Sequence, residues 1–209
     1  MQDIIDQFLA GLRGTTTIEF VAVIAGIVSV IYSRMENILV FPTGLVNTVL
    51  FIYLSIKGQL FGEASVNLYY TIMSIYGWWN WARLDPTHHH VVHIAPSNRK
   101  EIIQQFVFFD VCFVFILLLL LLIREAFAPD AIPWADALAS ASAFTGMWLM
   151  ARKKIESWYW WIITNIVSIP LWFVKGYVFT SVQFLVLLGL AIAGLIEWKK
   201  KYKLQQGLN

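Results

Sequence analysis

Residues 158–176, WYWWIITNIVSIPLWFVKG, decide how the rest of the chain is interpreted. On a helix that turns about 100° per residue, one stripe of this segment carries rings, an amide and a hydroxyl: Trp158, Trp161, Asn165, Ser168 and Trp172. An unpaired amide is costly inside a membrane, so Asn165 is expected to face protein or a watery cavity. Flat rings beside an amide suit a small planar ligand. The alternative is that the tryptophans are interfacial anchors and Asn165 joins two helices.

The composition places the chain in a membrane. It has 209 residues, of which 59% are hydrophobic and only 13% charged, and one small core cannot bury that much apolar surface. The single cysteine, Cys112, excludes an intramolecular disulfide and a cysteine metal site. No nucleophile elbow, phosphate loop or zinc-protease helix is present. The sequence therefore predicts a polytopic membrane protein that is not an enzyme and has no cofactor.

Seven apolar segments are long enough to cross about 30 Å of hydrocarbon as helices. They lie at residues 18–33, 38–56, 64–81, 103–123, 133–151, 158–174 and 178–198. The predicted fold is all-α with seven transmembrane helices. Its predicted parts are an extracytoplasmic segment (1–17), a three-helix repeat (18–81), a cytoplasmic loop (82–102), a linker helix (103–123), a second repeat (133–198) and a cytoplasmic tail (199–209).

An internal repeat supports this division. Shifting the chain by 118 residues, and by one fewer near the end of each half, aligns similar residues. A unit with three spans reverses direction when duplicated, so the single span at 103–123 restores it and gives a 3+1+3 plan of parallel repeats. A chance match is the alternative. The aligned pairs are Arg34 with Arg152, Asn47 with Asn165, Lys57 with Lys175, Gly77 with Gly194 and Trp81 with Trp198.

Basic residues predict the orientation. Seven spans place 11 of the 15 Lys and Arg residues on one side and leave Arg13, Lys57, Arg124 and Lys175 on the other. The richer side faces the cytoplasm by the positive-inside rule, which puts the C-terminus there and the N-terminus outside a bacterial inner membrane. The basic run in the tail is then an anchor at the lipid surface and not a nucleic-acid site.

Other polar residues allow more than one interpretation. The span at 64–81 has a second polar and aromatic stripe, made of Asn67, Tyr70, Ser74, Trp78 and Trp81. Asp110 lies about two turns into the linker helix, where it is either a proton-coupling group or, as we favour, a clasp between repeats. Four histidines between His88 and His93 could bind a metal, but a solvated loop is favoured because suitable partner ligands are few.

Several motifs together resemble the PnuC family of bacterial vitamin transporters. They are residues 75–81 (IYGWWNW), the turn Arg152-Lys153-Lys154, the pattern Trp158-x-x-Trp161-x-x-x-Asn165, and Lys175-Gly176-Tyr177. The resemblance implies a seven-helix fold like that of full-length SWEET sugar transporters, a homotrimer, and facilitated diffusion of nicotinamide riboside, with trapping by a cytoplasmic kinase. It also implies that Trp158, Trp161 and Asn165 hold the ligand, with Asn47 and Asn67 opposite. We add Tyr70, Ser74 and Trp78 to the predicted site from their shared stripe.

Two positions leave the substrate open. Ser74 and Ala193 stand where riboside-transporting members of the family often carry amides, so thiamine or another ring-bearing vitamin is an alternative cargo. A sugar transporter or channel on the same scaffold is a second alternative. A membrane assembly factor without transport activity is a third.

Overall fold

The structure is a computed structural model that describes residues 2–58, 61–127 and 132–207. Positions 1 and 208–209 of the predicted terminal segments, and the side chain of Arg124, lie outside this description. The described residues form eight helices: α1 Gln2–Gly14, α2 Thr17–Arg34, α3 Val40–Lys57, α4 Phe61–Ala82, α5 Arg99–Phe127, α6 Pro133–Ala151, α7 Ser157–Val174 and α8 Val178–Gln205.

Helices α2 to α8 coincide with the seven predicted apolar segments. Within the described residues, four helices are long and apolar enough to cross a membrane: α2, α3, α5 over Arg99–Ile123, and α8. Helices α4, α6 and α7 contain more small, polar or indole-bearing residues, and α6 buries most of its length against its neighbours. A helix that packs against protein needs less aliphatic surface than one that faces lipid. The prediction of an all-α membrane protein is confirmed.

Helix α1 was not predicted, since residues 1–17 were assigned only as an N-terminal segment. It packs against the start of α8, where the Phe8 and Phe179 ring centroids are 5.6 Å apart. Gly11 makes this contact possible, because a Cβ there would lie 2.9 Å from the Phe179 Cβ. The helical spacing of Ile5, Leu9 and Leu12, which are exposed, is the signal that could have revealed α1.

The helices after α1 pack as two triplets joined by α5. Helix α3 packs between α2 and α4, and α7 packs between α6 and α8. The triplets meet where α4 contacts α6 and where α2 contacts α8, so the first helix of each triplet touches the third helix of the other. Helix α5 packs on α6.

Two tryptophan hydrogen bonds show how the triplets are oriented. The Trp81 indole donates to the Met150 carbonyl at 3.3 Å, and the Trp198 indole donates to the Ser33 carbonyl at 3.0 Å. Met150 and Ser33 lie at the ends of α6 and α2, and Trp81 lies at the end of α4. Corresponding helices therefore finish at one end of the bundle. We call it the basic end: the end where α2, α4 and α6 finish and α8 carries Trp198.

Matching ring contacts fill the core near this end. Phe41 meets Trp81 edge-on at 5.0 Å between centroids, and Trp158 meets Trp198 edge-on at 5.5 Å. The Trp158 ring lies directly over Gly194, where a Cβ would be only 2.4 Å from Cη2 of the indole. Trp158 is consequently a core residue as well as a predicted site residue.

Substituting these glycines should destabilise the fold. In Gly194→Ala the new methyl would overlap Trp158, and in Gly77→Ala it would lie 2.4 Å from the Phe41 Cε1. We expect each to cost about 1 to 2 kcal/mol of stability through overpacking. Gly189→Ala is the matched control on α8, because nothing lies within 4 Å of its Cβ position and alanine favours helix. Thermal unfolding in detergent measures the effect; equal melting of Gly194→Ala and Gly189→Ala contradicts it.

Helix α5 is attached mainly to the second triplet. The Trp160 indole donates to Gln105 Oε1 at 2.9 Å, and Lys154 Nζ lies 2.7 Å from a carboxylate oxygen of Glu101. Asp110, in contrast, is exposed on the outer side of α5 and has no hydrogen bond or ion pair within the described part of the chain. The predicted clasp between repeats is therefore not formed by Asp110 in this structure.

Candidate functional site

Helix α7 turns its polar stripe toward protein. Trp158, Asn165 and Ser168 are buried, whereas Ile163 and Ile166 on the other side are exposed. The helix follows a tight turn in which the main-chain carbonyl of Lys154 accepts from the Ser157 amide, and it ends where Gly176 adopts a positive φ. The inward orientation agrees with the cost of leaving an amide in lipid.

Three polar groups on this stripe have no partner. The Asn165 side chain is only 4% exposed and makes no hydrogen bond within the described part of the chain. The Ser168 hydroxyl is also buried and makes no hydrogen bond to a described residue. The Trp158 Nε1 is buried and unpartnered as well. Most buried polar groups in proteins are hydrogen-bonded, so three free ones on a single helix face indicate a place for a ligand or water.

Aromatic rings from three helices meet beside this stripe. The centroids of Trp161 and Tyr70 are 6.3 Å apart, and those of Tyr70 and Phe144 are 6.1 Å apart. These residues belong to α7, α4 and α6, so both triplets contribute. The Tyr70 hydroxyl has no hydrogen-bond partner among the described residues. We call Asn165, Ser168, Trp158, Trp161 and Tyr70 the indole–amide site.

The Trp161 indole rests on the backbone of α6. A Cβ on Gly146 would lie 3.3 Å from both Cε2 and Nε1 of this ring. Glycine therefore allows the indole to approach α6 closely.

Adding a methyl at this contact should weaken ligand binding moderately. In Gly146→Ala the indole must shift by a few tenths of an ångström toward the space where a ligand would stack. We expect a loss of affinity of about 1 kcal/mol, or roughly fivefold, with little change in thermal stability. Equilibrium titration of purified protein with nicotinamide riboside measures it, and an unchanged affinity contradicts this role of Gly146.

The other predicted site residues are in different states. Asn47 is already hydrogen-bonded within the protein: its Nδ2 donates to the Ala22 carbonyl at 2.7 Å. Asn67 donates to the Glu63 carbonyl of its own helix at 2.9 Å. Ser74 is buried, and its hydroxyl makes no hydrogen bond to any residue that the structure describes. Trp78 is 40% exposed and pairs with no other ring in the described part of the chain. Ligand contact by these four residues stays a prediction.

Helix α6 contributes residues that the sequence analysis did not single out. Phe144 and Gly146 contact the rings of the site, and the Ser142 hydroxyl is buried without a partner. The signal for them is the run ASASAFTG at residues 139–146, whose small side chains let another helix approach closely. From the sequence alone, this run is assigned only to a predicted span.

The histidine loop does not form a metal site within the described residues, where no group of three candidate ligands comes together. Hydrogen bonds from the Thr87 hydroxyl and the His89 backbone hold the pKa of Asp85 below its usual value. Asp85 Oδ1 accepts from the backbone amides of Thr87 and His89, and this stabilises the turn. A solvated loop, as favoured from the sequence, fits this arrangement.

Comparison with known proteins bears on the function. A family model described as "Nicotinamide mononucleotide transporter" matches residues 16–200, which is most of the chain. The chain belongs to this family of membrane transporters. The match includes all of α2 to α7 and α8 as far as residue 200, and therefore every residue of the indole–amide site.

Two similar proteins of known function are also transporters. The nicotinamide riboside transporter PnuC of Escherichia coli K12 is 25% identical over 209 residues, covering 90% of this chain and 87% of the relative. The riboflavin/roseoflavin transporter RibM of Streptomyces davaonensis is 25% identical over 142 residues, covering 68% of this chain and 65% of the relative. The resemblance to the PnuC family and the prediction of a transporter are confirmed.

A solved structure has the same fold. The crystal structure of the vitamin B3 transporter PnuC matches with a TM-score of 0.68, covering 94% of this chain and 87% of that one. Its sequence is 20% identical to this chain. The fold of the family member and of this chain is therefore shared across nearly the whole length.

Proposed function

We propose that this transporter carries nicotinamide riboside into the cell by facilitated diffusion, holding it at the indole–amide site. The observation that carries the proposal is the Asn165 side chain, which is buried and makes no hydrogen bond to a described residue, on the same helical stripe as Trp158 and Trp161. An amide can pair with the carboxamide or ribose of the ligand, while the rings stack on its cationic pyridinium. The riboside transporter of Escherichia coli, similar over 90% of this chain, supports the choice of cargo.

The residues of the site favour the riboside over the mononucleotide. The site offers an amide, hydroxyls and rings, and no lysine or arginine belongs to it. A phosphate is bound by such cations or by backbone amides at a helix start. Without such a cation, the phosphate of a mononucleotide would have no counter-charge in a low-dielectric environment.

The proposed arrangement is 3+1+3, with seven spans, α5 as the linker and a likeness to full-length SWEET transporters. The packing supports it, because every helix contact of the first triplet has a counterpart in the second. The α2–α3 contact matches α6–α7, the α3–α4 contact matches α7–α8, and between the triplets the α4–α6 contact matches α8–α2. The two tryptophan hydrogen bonds exchange in the same way. Substrate would then lie at the interface of two parallel repeats.

We place the basic end in the cytoplasm, with the C-terminus, and the N-terminus outside. Arg34, Arg83 and residues 152–154 lie at or next to the helix ends that form the basic end. This supports the orientation that the positive-inside rule predicts. Phosphorylation of the riboside in the cytoplasm would then trap it and keep the inward gradient favourable, without ion coupling.

We also propose a homotrimer. The outer side of α5 exposes apolar residues that include Val111, Phe115 and Leu122, with Asp110 among them. A carboxylate facing lipid at this depth is costly, whereas a neighbouring subunit could provide it with a partner. Mass measurement of the protein in nanodiscs tests this, and a monomer that transports at the normal rate contradicts it.

Purified protein in liposomes tests the cargo. We expect saturable, gradient-driven uptake of labelled nicotinamide riboside, unaffected by collapsing proton or sodium gradients. Unlabelled riboside should compete, whereas nicotinamide mononucleotide and glucose should not. Uptake that follows an ion gradient would contradict uniport. Absence of both riboside binding and riboside uptake would contradict the cargo.

A second candidate is another ring-bearing vitamin, such as riboflavin or thiamine. The similarity to RibM over 68% of this chain favours riboflavin, and Ser74 and Ala193 replace amides expected in riboside transporters. Including both vitamins as competitors in the same uptake assay separates the candidates. Stronger competition by either than by nicotinamide riboside would replace the first proposal.

A further inference from the structure

Hydrogen bonds between the two triplets are concentrated at the basic end. Among the described residues, the bond from Tyr69 to the Phe144 carbonyl is the exception and lies midway along α4 and α6. The others join the ends of α2, α4 and α6, the turns that follow them, and the last turns of α8: Ser33 to Met150, Asn80 to Ala151, Trp81 to Met150, Trp198 to Ser33, Lys153 to Glu36, and Lys201 to Met35 and Glu36. In this conformation the two triplets are therefore held together by hydrogen bonds mainly at the basic end.

A single direct ion pair between the two inter-helix turns lies within this group. Lys153 Nζ is 2.8 Å from a carboxylate oxygen of Glu36, and the two residues are 117 positions apart. That is the spacing that relates Trp81 to Trp198 and Ser33 to Met150. Glu36 and Lys153 are thus equivalent positions of the two repeats, in the α2–α3 turn and the α6–α7 turn, and they carry opposite charges.

Both residues have an unusual backbone conformation. Glu36 has φ 61° and Lys153 has φ 53°, in the left-handed region that disfavours residues other than glycine. A turn of this kind would be formed more easily by glycine or asparagine. Retaining a charged residue at both positions indicates that the side chains have a role that outweighs the backbone cost.

The environment of Lys153 makes the pair sensitive to separation. The lysine is 5% exposed, and its ammonium lies 4.7 Å from the centroid of the Trp81 ring. Trp81 belongs to the first triplet, so the charge is held by two groups from across the interface. A buried ammonium that loses its carboxylate without gaining water is strongly disfavoured. The pair should therefore be either closed, as here, or open and hydrated.

We propose that Glu36 and Lys153 form a latch that keeps the basic end of the transporter closed, and that its opening releases substrate from the indole–amide site toward that end. The inference rests on the proposed transport function. Alternating access requires the two repeats to part at one end while they meet at the other. Parting the triplets at the basic end would separate the α2–α3 and α6–α7 turns, and the ion pair joins these turns directly.

Distance measurements between spin labels test the latch without any substrate. In a Cys112→Ala background, labels would be placed on cysteines at Leu39 and Tyr159, which are exposed residues near the two turns. We expect the unaltered latch to give a short-distance population. Glu36→Lys and Lys153→Glu each place like charges together and should add a longer-distance population. The double exchange Glu36→Lys with Lys153→Glu should recover part of the short-distance population, because the exchanged pair attracts again while Lys201, 3.4 Å from the Glu36 carboxylate, then faces a lysine.

Lys154→Glu is the matched control. It makes the same change in charge one residue away, but Lys154 pairs with Glu101 of α5 and not with the first triplet. The latch is wrong if Glu36→Lys and Lys153→Glu leave the distances as short as Lys154→Glu does, or if the double exchange restores nothing. Should a reversal variant fail to fold, Glu36→Gln and Lys153→Gln carry the same comparison. Because no vitamin is needed, failure of the proposed cargo would leave this test intact.

Discussion

Asn165→Leu is expected to remove most of the affinity for nicotinamide riboside while leaving the transporter at least as stable as before. The amide has no hydrogen-bond partner within the described part of the chain, so the fold loses no bond when it is replaced. A bound ligand, in contrast, would lose its hydrogen-bond partner. We expect a cost of about 2 to 3 kcal/mol in binding, which is roughly 30- to 150-fold.

Asn47→Leu provides the matched control, because Asn47 is the amide that the 118-residue shift aligns with Asn165 and it is hydrogen-bonded within the protein. Its Nδ2 donates to the Ala22 carbonyl and lies against Gly26. Removing it should lower the free energy of unfolding by about 1 to 2 kcal/mol. Titration calorimetry and thermal unfolding of both variants give the comparison. A destabilised Asn165→Leu that binds normally would show that the amide is helix-to-helix glue, the alternative that its sequence also allows.

Most of the helical framework could be predicted from the sequence, because hydropathy over about 20 residues reports directly on what a membrane span requires. The predicted spans at 133–151 and 178–198 begin at the residues where α6 and α8 begin. The repeat was visible because Trp81 and Trp198, and Gly77 and Gly194, make equivalent contacts in the structure. Because the two triplets pack in the same way, similar residues recur at a constant spacing in the sequence.

The state of each amide could not be predicted. Asn47 and Asn165 are aligned by the 118-residue shift, but the Asn47 amide donates to the Ala22 carbonyl of α2 and Asn165 makes no hydrogen bond in the described structure. Equivalent contacts in the structure are 117 residues apart, so the counterpart of Asn47 is Thr164, whose hydroxyl donates to the Ala139 carbonyl of α6 at 3.5 Å. The sequence pattern of one helix predicts which side chains share a face, but it does not predict which groups of the neighbouring helix they contact.

The latch residues were missed for a similar reason. Glu36 and Lys153 stand in short turns, where hydropathy and helical periodicity give no signal. Their spacing of 117 is the spacing of equivalent contacts in the structure, whereas the 118-residue register of the sequence aligns Glu36 with Lys154. The backbone geometry of the turns decides which of the two lysines reaches across the interface.

Trp161→Ala is expected to weaken riboside binding by about 1 to 3 kcal/mol, the size of a lost ring contact with a cation. Trp161 is the indole that Gly146 supports from behind and that faces Tyr70 of the other triplet. The loss corresponds to roughly 5- to 150-fold in affinity. It should appear in equilibrium binding to the purified variant, whose folding is checked by its melting temperature.

Two further variants separate ring stacking from general packing. Trp161→Phe keeps a flat ring with a weaker electrostatic face, so it should restore part of the affinity that alanine loses. Trp79→Ala removes an exposed indole that stacks with Tyr76 and Arg83 outside the indole–amide site, and it should leave binding unchanged. If Trp161→Ala and Trp79→Ala bind equally well, Trp161 is an interfacial anchor. If Trp161→Phe binds no better than alanine, the indole N–H and not the ring face is the group that holds the ligand.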